Sequence, residues 1–131
     1  VVQRANLETV LRRLHDHGIQ ASLFVDPVKA QIETSKDIGA DMIEIHTGEY
    51  ADAPSDLERL IQFTRVQEAA RFGKSLGLGV NAGHGLDYGN SFAISRIFEI
   101  DEVSIGYAVI VRALDVGLEQ AVRKMLELLQ R

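Results

Sequence analysis

Apolar positions along the chain switch repeatedly between a helical and a strand period. From Asn6 to about His17 they recur every three or four residues at Leu7, Val10, Leu11 and Leu14. That spacing makes one helical stripe, with Asn6 as its cap and Gly18 as its stop. Residues 21–25 form a short β-rich run, and Asp26-Pro27 then predicts the start of a helix carrying Ile32 and Ile38 to Gly39. A second strand is expected over 42–46. Pro54-Ser55-Asp56 opens a long helix to about Ser75, with Leu57, Leu60, Ile61, Thr64, Ala69 and Phe72 on its buried side and Gly77 ending it.

The remainder repeats the scheme. A third strand falls at 78–82, and a short helix runs from Asn90 or Ser91 to about Phe98. A fourth strand falls at 103–105, followed by a short helix over 108–113. The last amphipathic helix runs from Gly117 to Leu129, with Leu118, Val122, Met125 and Leu129 expected inward. Strands alternating with helices imply right-handed βαβ units and a parallel sheet. The whole reads α(βα)4, an α/β chain with its four strands adjacent in order. No linker, low-complexity tract or charge block divides residues 1–131, which read as a single domain.

Composition narrows this picture. With 131 residues and 46% hydrophobic positions the chain can build a core. It holds about half of the ~250 residues of a complete (βα)8 barrel. It also begins at Val1 rather than Met, so a partial sequence is the expectation. Cysteine is absent, which excludes disulfides and thiolate metal sites and fits a reducing cytoplasm. There is neither a basic-then-apolar leader nor an apolar run of membrane-spanning length, so no membrane association is expected. A net charge of −5 argues against nucleic acid as a partner, because that binding rests on clustered basic charge. Small phosphorylated substrates remain compatible, since helix N-termini hold phosphate through backbone N–H groups.

Candidate chemistry gathers at strand ends, where loops vary on a rigid frame. Val80-Asn81-Ala82-Gly83-His84-Gly85-Leu86 runs a strand into a glycine-flanked histidine, where a ligand can approach the backbone closely. Ile43-Glu44-Ile45-His46-Thr47-Gly48 puts a carboxylate and an imidazole two residues apart, and alternation sends both to the face opposite the isoleucines. Ser104-Ile105-Gly106-Tyr107 ends a strand in another glycine, and Asp26 stands at the end of the first strand. Glu44 reads either as a substrate-facing group or as half of a structural ion pair with an Arg or Lys. His46 reads as a site residue or as a satisfied interior imidazole. Glu44, His46 and His84 could also ligate a metal, though no fixed metal-binding spacing is present. His15 and His17 read as plain surface residues. Gly83-His84-Gly85 and Gly106-Tyr107 together suggest a phosphate site; the alternative for Gly106 is tight packing.

In this order the segments resemble the pyridoxine 5'-phosphate synthase (PdxJ) family. The resemblance is carried by Ala21 to Asp26, Ile43 to Tyr50 with Ala51-Asp52-Ala53, Ser75-Leu76-Gly77-Leu78 with Val80 to Leu86, and Ser104-Ile105-Gly106 through Arg112-Ala113. It covers nearly the whole chain but only the C-terminal half of that enzyme, so it implies about half of a TIM barrel. The family condenses 3-amino-2-oxopropyl phosphate with 1-deoxy-D-xylulose 5-phosphate, releasing phosphate and water to form pyridoxine 5'-phosphate in vitamin B6 biosynthesis. By resemblance, His84 is a proton donor and Glu44 a transition-state stabiliser. Gly85, Gly106 and Tyr107 bind the amino-ketone phosphate; His46 is a candidate substrate neighbour from its strand position alone, not from the resemblance. No external cofactor is implied, and the family forms homo-oligomers, commonly octamers.

Two departures stand out. Many members carry His where this chain has Tyr107. The family's proton acceptors, and its substrate-binding Asp, His and Arg near the N-terminus, have no counterpart here, so the isolated chain is expected to be inactive. Alternative readings are another phosphate-binding barrel enzyme and a non-catalytic half-barrel that assembles with a partner.

Overall fold

The computed structural model describes residues 4–130. Four strands, β1 (Ser22–Val25), β2 (Met42–His46), β3 (Gly79–Gly83) and β4 (Glu102–Ser104), form one sheet in the order β1-β2-β3-β4. Every neighbouring pair is parallel. The register sets Glu44 opposite Phe24 and Asn81, His46 opposite Gly83, and Gly83 opposite Ser104. Each strand lies within a residue or two of its sequence-predicted position.

Seven helices complete the described residues: α1 (Arg4–Asp16), α2 (Lys29–Asp37), α3 (Gly48–Ala51), α4 (Asp56–Ser75), α5 (Ser91–Ser95), α6 (Tyr107–Val116) and α7 (Leu118–Leu129). The main core joins Val25, Ile43, Ile45, Val80 and Ala82 from the strands to Ile32, Val66, Ala69, Ala70 and Ile94 from α2, α4 and α5. A smaller cluster of Leu11, Ala21 and Ile38 seats α1. The strand residues in these clusters share one face by alternation. On the other face Phe24 is largely exposed and Glu44 and His46 are half-buried. A sheet covered on one face belongs to a barrel arrangement, with the second face turned inward, rather than to a doubly wound layer.

The element boundaries correct several sequence expectations. Asn6 lies inside α1, which already includes Arg4. Asp26 does not cap α2; Val28 takes that place without a side-chain bond. The Asp26 carboxylate instead accepts from Gln31 Nε2 at 3.1 Å, while Asp26 N–H donates to Gln31 Oε1 at 3.0 Å. Ser55 does cap α4, accepting from Glu58 N–H at 3.2 Å and donating to Glu58 Oε2 at 2.7 Å.

The buried face of α4 is Val66, Ala69, Ala70 and Gly73, whereas Leu57 is 69% exposed and Leu60 and Ile61 are also exposed. A helix of 20 residues spans about 30 Å, against about 17 Å for a five-residue strand, so its first turns overhang the sheet. In α7 the buried residues are Ala121 and Met125, while Leu118 and Val122 are exposed. Ala121 also accepts a hydrogen bond from the Tyr88 hydroxyl at 2.8 Å, which fixes the helix by its small-residue side.

Candidate active site at the carboxyl ends of the strands

Alternation on β2 places Ile43 and Ile45 fully in the core and turns Glu44 and His46 to the opposite face. The Glu44 carboxylate leans across Gly83 and accepts a hydrogen bond from the Ser104 hydroxyl at 2.9 Å. A Cβ on Gly83 would sit 2.2 Å from Glu44 Oε1 and 3.0 Å from Ser104 Cβ, so only glycine leaves this path open. Within the described residues the partner of Glu44 is the Ser104 hydroxyl, and no Arg or Lys pairs with it.

His46 lies against Asp26, with Nδ1 and Oδ1 3.3 Å apart. Its ring meets Phe24 edge-on at 5.2 Å and His84 at 4.8 Å with a 60° tilt, and Phe24 and His84 are themselves 6.5 Å apart. Three strand ends thus meet in one aromatic cluster of Phe24, His46 and His84. Among the described residues no group of three or more His, Cys, Asp or Glu converges as a metal-ligand set. Glu44, His46 and His84 are neighbours without forming one.

His84 follows β3 directly and has φ +82°, the one non-glycine residue with positive φ among those described. Such a conformation costs an L-residue about 1–3 kcal/mol and persists where surrounding contacts over-determine it. Those contacts are dense here. Thr47 holds the backbone from below, and Asn90 Nδ2 donates to Gly85 O at 3.1 Å. Asn90 Oδ1 accepts from Asp87 N–H at 2.8 Å, and Asp87 Oδ1 accepts from Gly89 and Asn90 N–H. The Tyr50 hydroxyl donates to Asn90 O at 2.8 Å, and burial raises its phenol above the usual range. The loop carrying His84 is a knitted structure rather than a loose connection.

His84 and Gly85 line an open cleft of about 800 Å³. Ser104, Ile105, Gly106, Tyr107, Ala108 and Arg112 also line it. Gly106 caps α6, so the first N–H groups of that helix, which lack intrahelical acceptors, start at the cleft. The Tyr107 side chain is 86% exposed, so the phenol packs against nothing that would set its direction. The structure therefore brings His84, Gly85, Gly106 and Tyr107 to one cleft. Glu44 stands beside it, linked through Ser104, and His46 sits behind His84.

The full length of the chain, residues 1–131, matches the family described as pyridoxal phosphate biosynthesis protein PdxJ. The chain belongs to the PdxJ family. Among curated relatives, the pyridoxine 5'-phosphate synthase of Legionella pneumophila (strain Corby) is 48% identical over 130 residues, covering 99% of this chain and 52% of the relative. That of Chlorobium phaeobacteroides is 46% identical over 126 residues, covering 96% and 53%. That of Idiomarina loihiensis is 44% identical over 128 residues, covering 95% and 53%. The chain spans about half the length of these relatives. A four-stranded parallel sheet with helices on one face is what half of a PdxJ-type TIM barrel contains.

Glu44, His46 and His84 stand out in the sequence as ionisable residues at strand ends, whereas the groups that contact them do not. Ser104, Thr47 and the pairing of Asp26 with His46 carry no signal of that kind. Ser104 was accessible in principle, since alternation from Val103 turns it to the face that Glu44 shares. His15 is exposed, as the sequence predicts, yet it has a structural partner. Its Nε2 lies 2.8 Å from Asp41 Oδ2, which also accepts from Ala21 N–H at 2.7 Å, and so ties α1 to the starts of β1 and β2. The Ala21 N–H first and His15 second hold the Asp41 carboxyl below its ordinary range. His17 is local, bonding to Arg13 O.

Proposed function

We propose that this chain supplies the donor side of a pyridoxine 5'-phosphate synthase active site. The reaction joins 3-amino-2-oxopropyl phosphate to 1-deoxy-D-xylulose 5-phosphate and releases phosphate and water as pyridoxine 5'-phosphate forms. His84 gives up protons to departing oxygens during the dehydrations, a task suited to an imidazole near neutral pH. Glu44, oriented by Ser104, stabilises positive charge that develops at the condensing nitrogen. Gly85, Gly106 and Tyr107 hold the amino-ketone phosphate through backbone N–H groups at the cleft and at the start of α6, where the helix dipole favours an anion. His46, braced by Asp26, backs the His84 ring.

The observation that carries this reading is His84 itself. It is a non-glycine residue held at φ +82° in the lining of a cleft that also holds a glycine-capped helix start. Strain of this kind marks positions where backbone geometry is set by a task. A backbone phosphate contact at Tyr107 is indifferent to the side chain, which is how Tyr can stand where many relatives carry His.

The test is reconstitution. This segment, fused to the complementary half of the Legionella pneumophila relative, is expected to form pyridoxine 5'-phosphate from the two substrates. The 131-residue segment alone is expected to form none, because the family's proton acceptors have no counterpart in it. A folded fusion that binds neither phosphorylated substrate would overturn the assignment.

A further inference from the structure

We propose that Thr47 is the positioning residue that sets the His84 imidazole in the cleft, by fixing the two peptide units on either side of the His84 Cα. The Thr47 hydroxyl lies 2.7 Å from Gly83 O and 2.6 Å from His84 O, sharing its proton between them. Thr47 N–H donates to Gly83 O as well, at 2.8 Å. Successive carbonyls of an extended chain point to opposite sides. One hydroxyl can reach both only where the intervening residue leaves the strand conformation, as His84 does at φ +82°. The clamp and the unusual φ are two views of one constraint.

A second observation separates this role from ordinary helix capping. Thr47 occupies the N-cap position of α3, where a threonine hydroxyl normally accepts from the helix's own N–H groups. It makes no such bond, and its hydroxyl is turned to the 83–84 carbonyls instead. The residue is fully buried, so water cannot replace the contact. Its neighbour Gly48 passes directly beneath both rings: a Cβ there would meet His46 Nε2 at 2.7 Å and His84 Cδ2 at 3.1 Å. A Cβ at Gly85 would meet Ala51 Cβ at 2.6 Å, so α3 and the His84 turn are matched surfaces. Thr47 holds these surfaces in register at the point where the ring direction is decided.

The proposal rests on the proton-donor reading of His84, and the experiment keeps the two apart. In the full-length fusion, Thr47→Val and Thr47→Ala are expected to lower kcat by about 100-fold, the scale of a misplaced reacting group. Thr47→Ser, which keeps the hydroxyl, is expected to stay close to the parent. In a His84→Asn background, Thr47→Val should bring no further loss, because a residue acting through another is non-additive with it. An equal loss in both backgrounds would overturn the proposal, as would an unchanged kcat in both Val and Ala variants. Crystal structures of the same proteins give a readout independent of activity. His84 should keep its positive φ with Ser at position 47 and leave it with Val or Ala. Retention of φ near +82° in Thr47→Val would overturn the proposal even if the fusion proved unable to make pyridoxine 5'-phosphate, an outcome that would count against the functional reading alone.

Discussion

Gly83 and Glu44 explain each other. The carboxylate reaches Ser104 only because the residue beneath it has no side chain. Gly83→Ala should therefore push Glu44 off Ser104, cost about 1–3 kcal/mol of stability as an overpacked site, and lower turnover. Gly106 gives the contrasting case, since a Cβ there meets nothing within 4 Å and its φ of −110° suits any residue. Gly106→Ala should leave stability within about 0.5 kcal/mol and alter KM for the amino-ketone phosphate. Chemical denaturation and steady-state kinetics on the two variants would separate them. Equal loss of stability in both would contradict the steric account.

At the scale of elements, Asp41 shows how a loop residue can fasten three segments. Its carboxylate accepts from Ala21 N–H and meets His15, and its pKa is lowered in the fold. A group with a depressed folded pKa contributes stability above its unfolded value of about 4 and loses it as pH falls through the folded value. Asp41→Asn should thus be slightly less stable than the parent near pH 6, the effect being small because solvent screens the site, with the difference shrinking as pH falls below about 4. Urea midpoints across that range check it, and a pH-independent gap would refute the carboxylate's role.

The strands, their order and the polar face of β2 were legible because alternation and glycine stops act locally. The buried faces of α4 and α7 were legible only in part, through Ala69 and Met125. Leu57, Leu60 and Ile61 satisfy a helical stripe as well as Val66, Ala69 and Ala70 do, and only the length mismatch with the sheet decides between them. The four-residue α3 escaped notice because Gly48-Glu49-Tyr50-Ala51 is too short to show a period. Alternation gives the face of Ser104, but its bond to Glu44 and the contacts of Thr47 are made across the sheet, which no local pattern encodes.

For the whole molecule, the described sheet has two free edges, at β1 and β4, and an inward face on which Phe24, Glu44, His46 and Ser104 are uncovered or half-covered. Edges of this kind invite pairing. Together with a span of about half the curated relatives' length, they fit half of a PdxJ-type barrel, and the proposed function has the site completed from the other half. The central claim is that His84 is the proton donor on this side. The most direct measurement is steady-state turnover, with substrate binding measured in parallel, for the full-length fusion and its His84→Asn variant. Loss of about 10²- to 10⁴-fold in kcat with substrate affinity retained is the predicted result, since the amide fills similar space but supplies no proton. Near-parental turnover in His84→Asn would contradict the account and leave His84 with only a positional part.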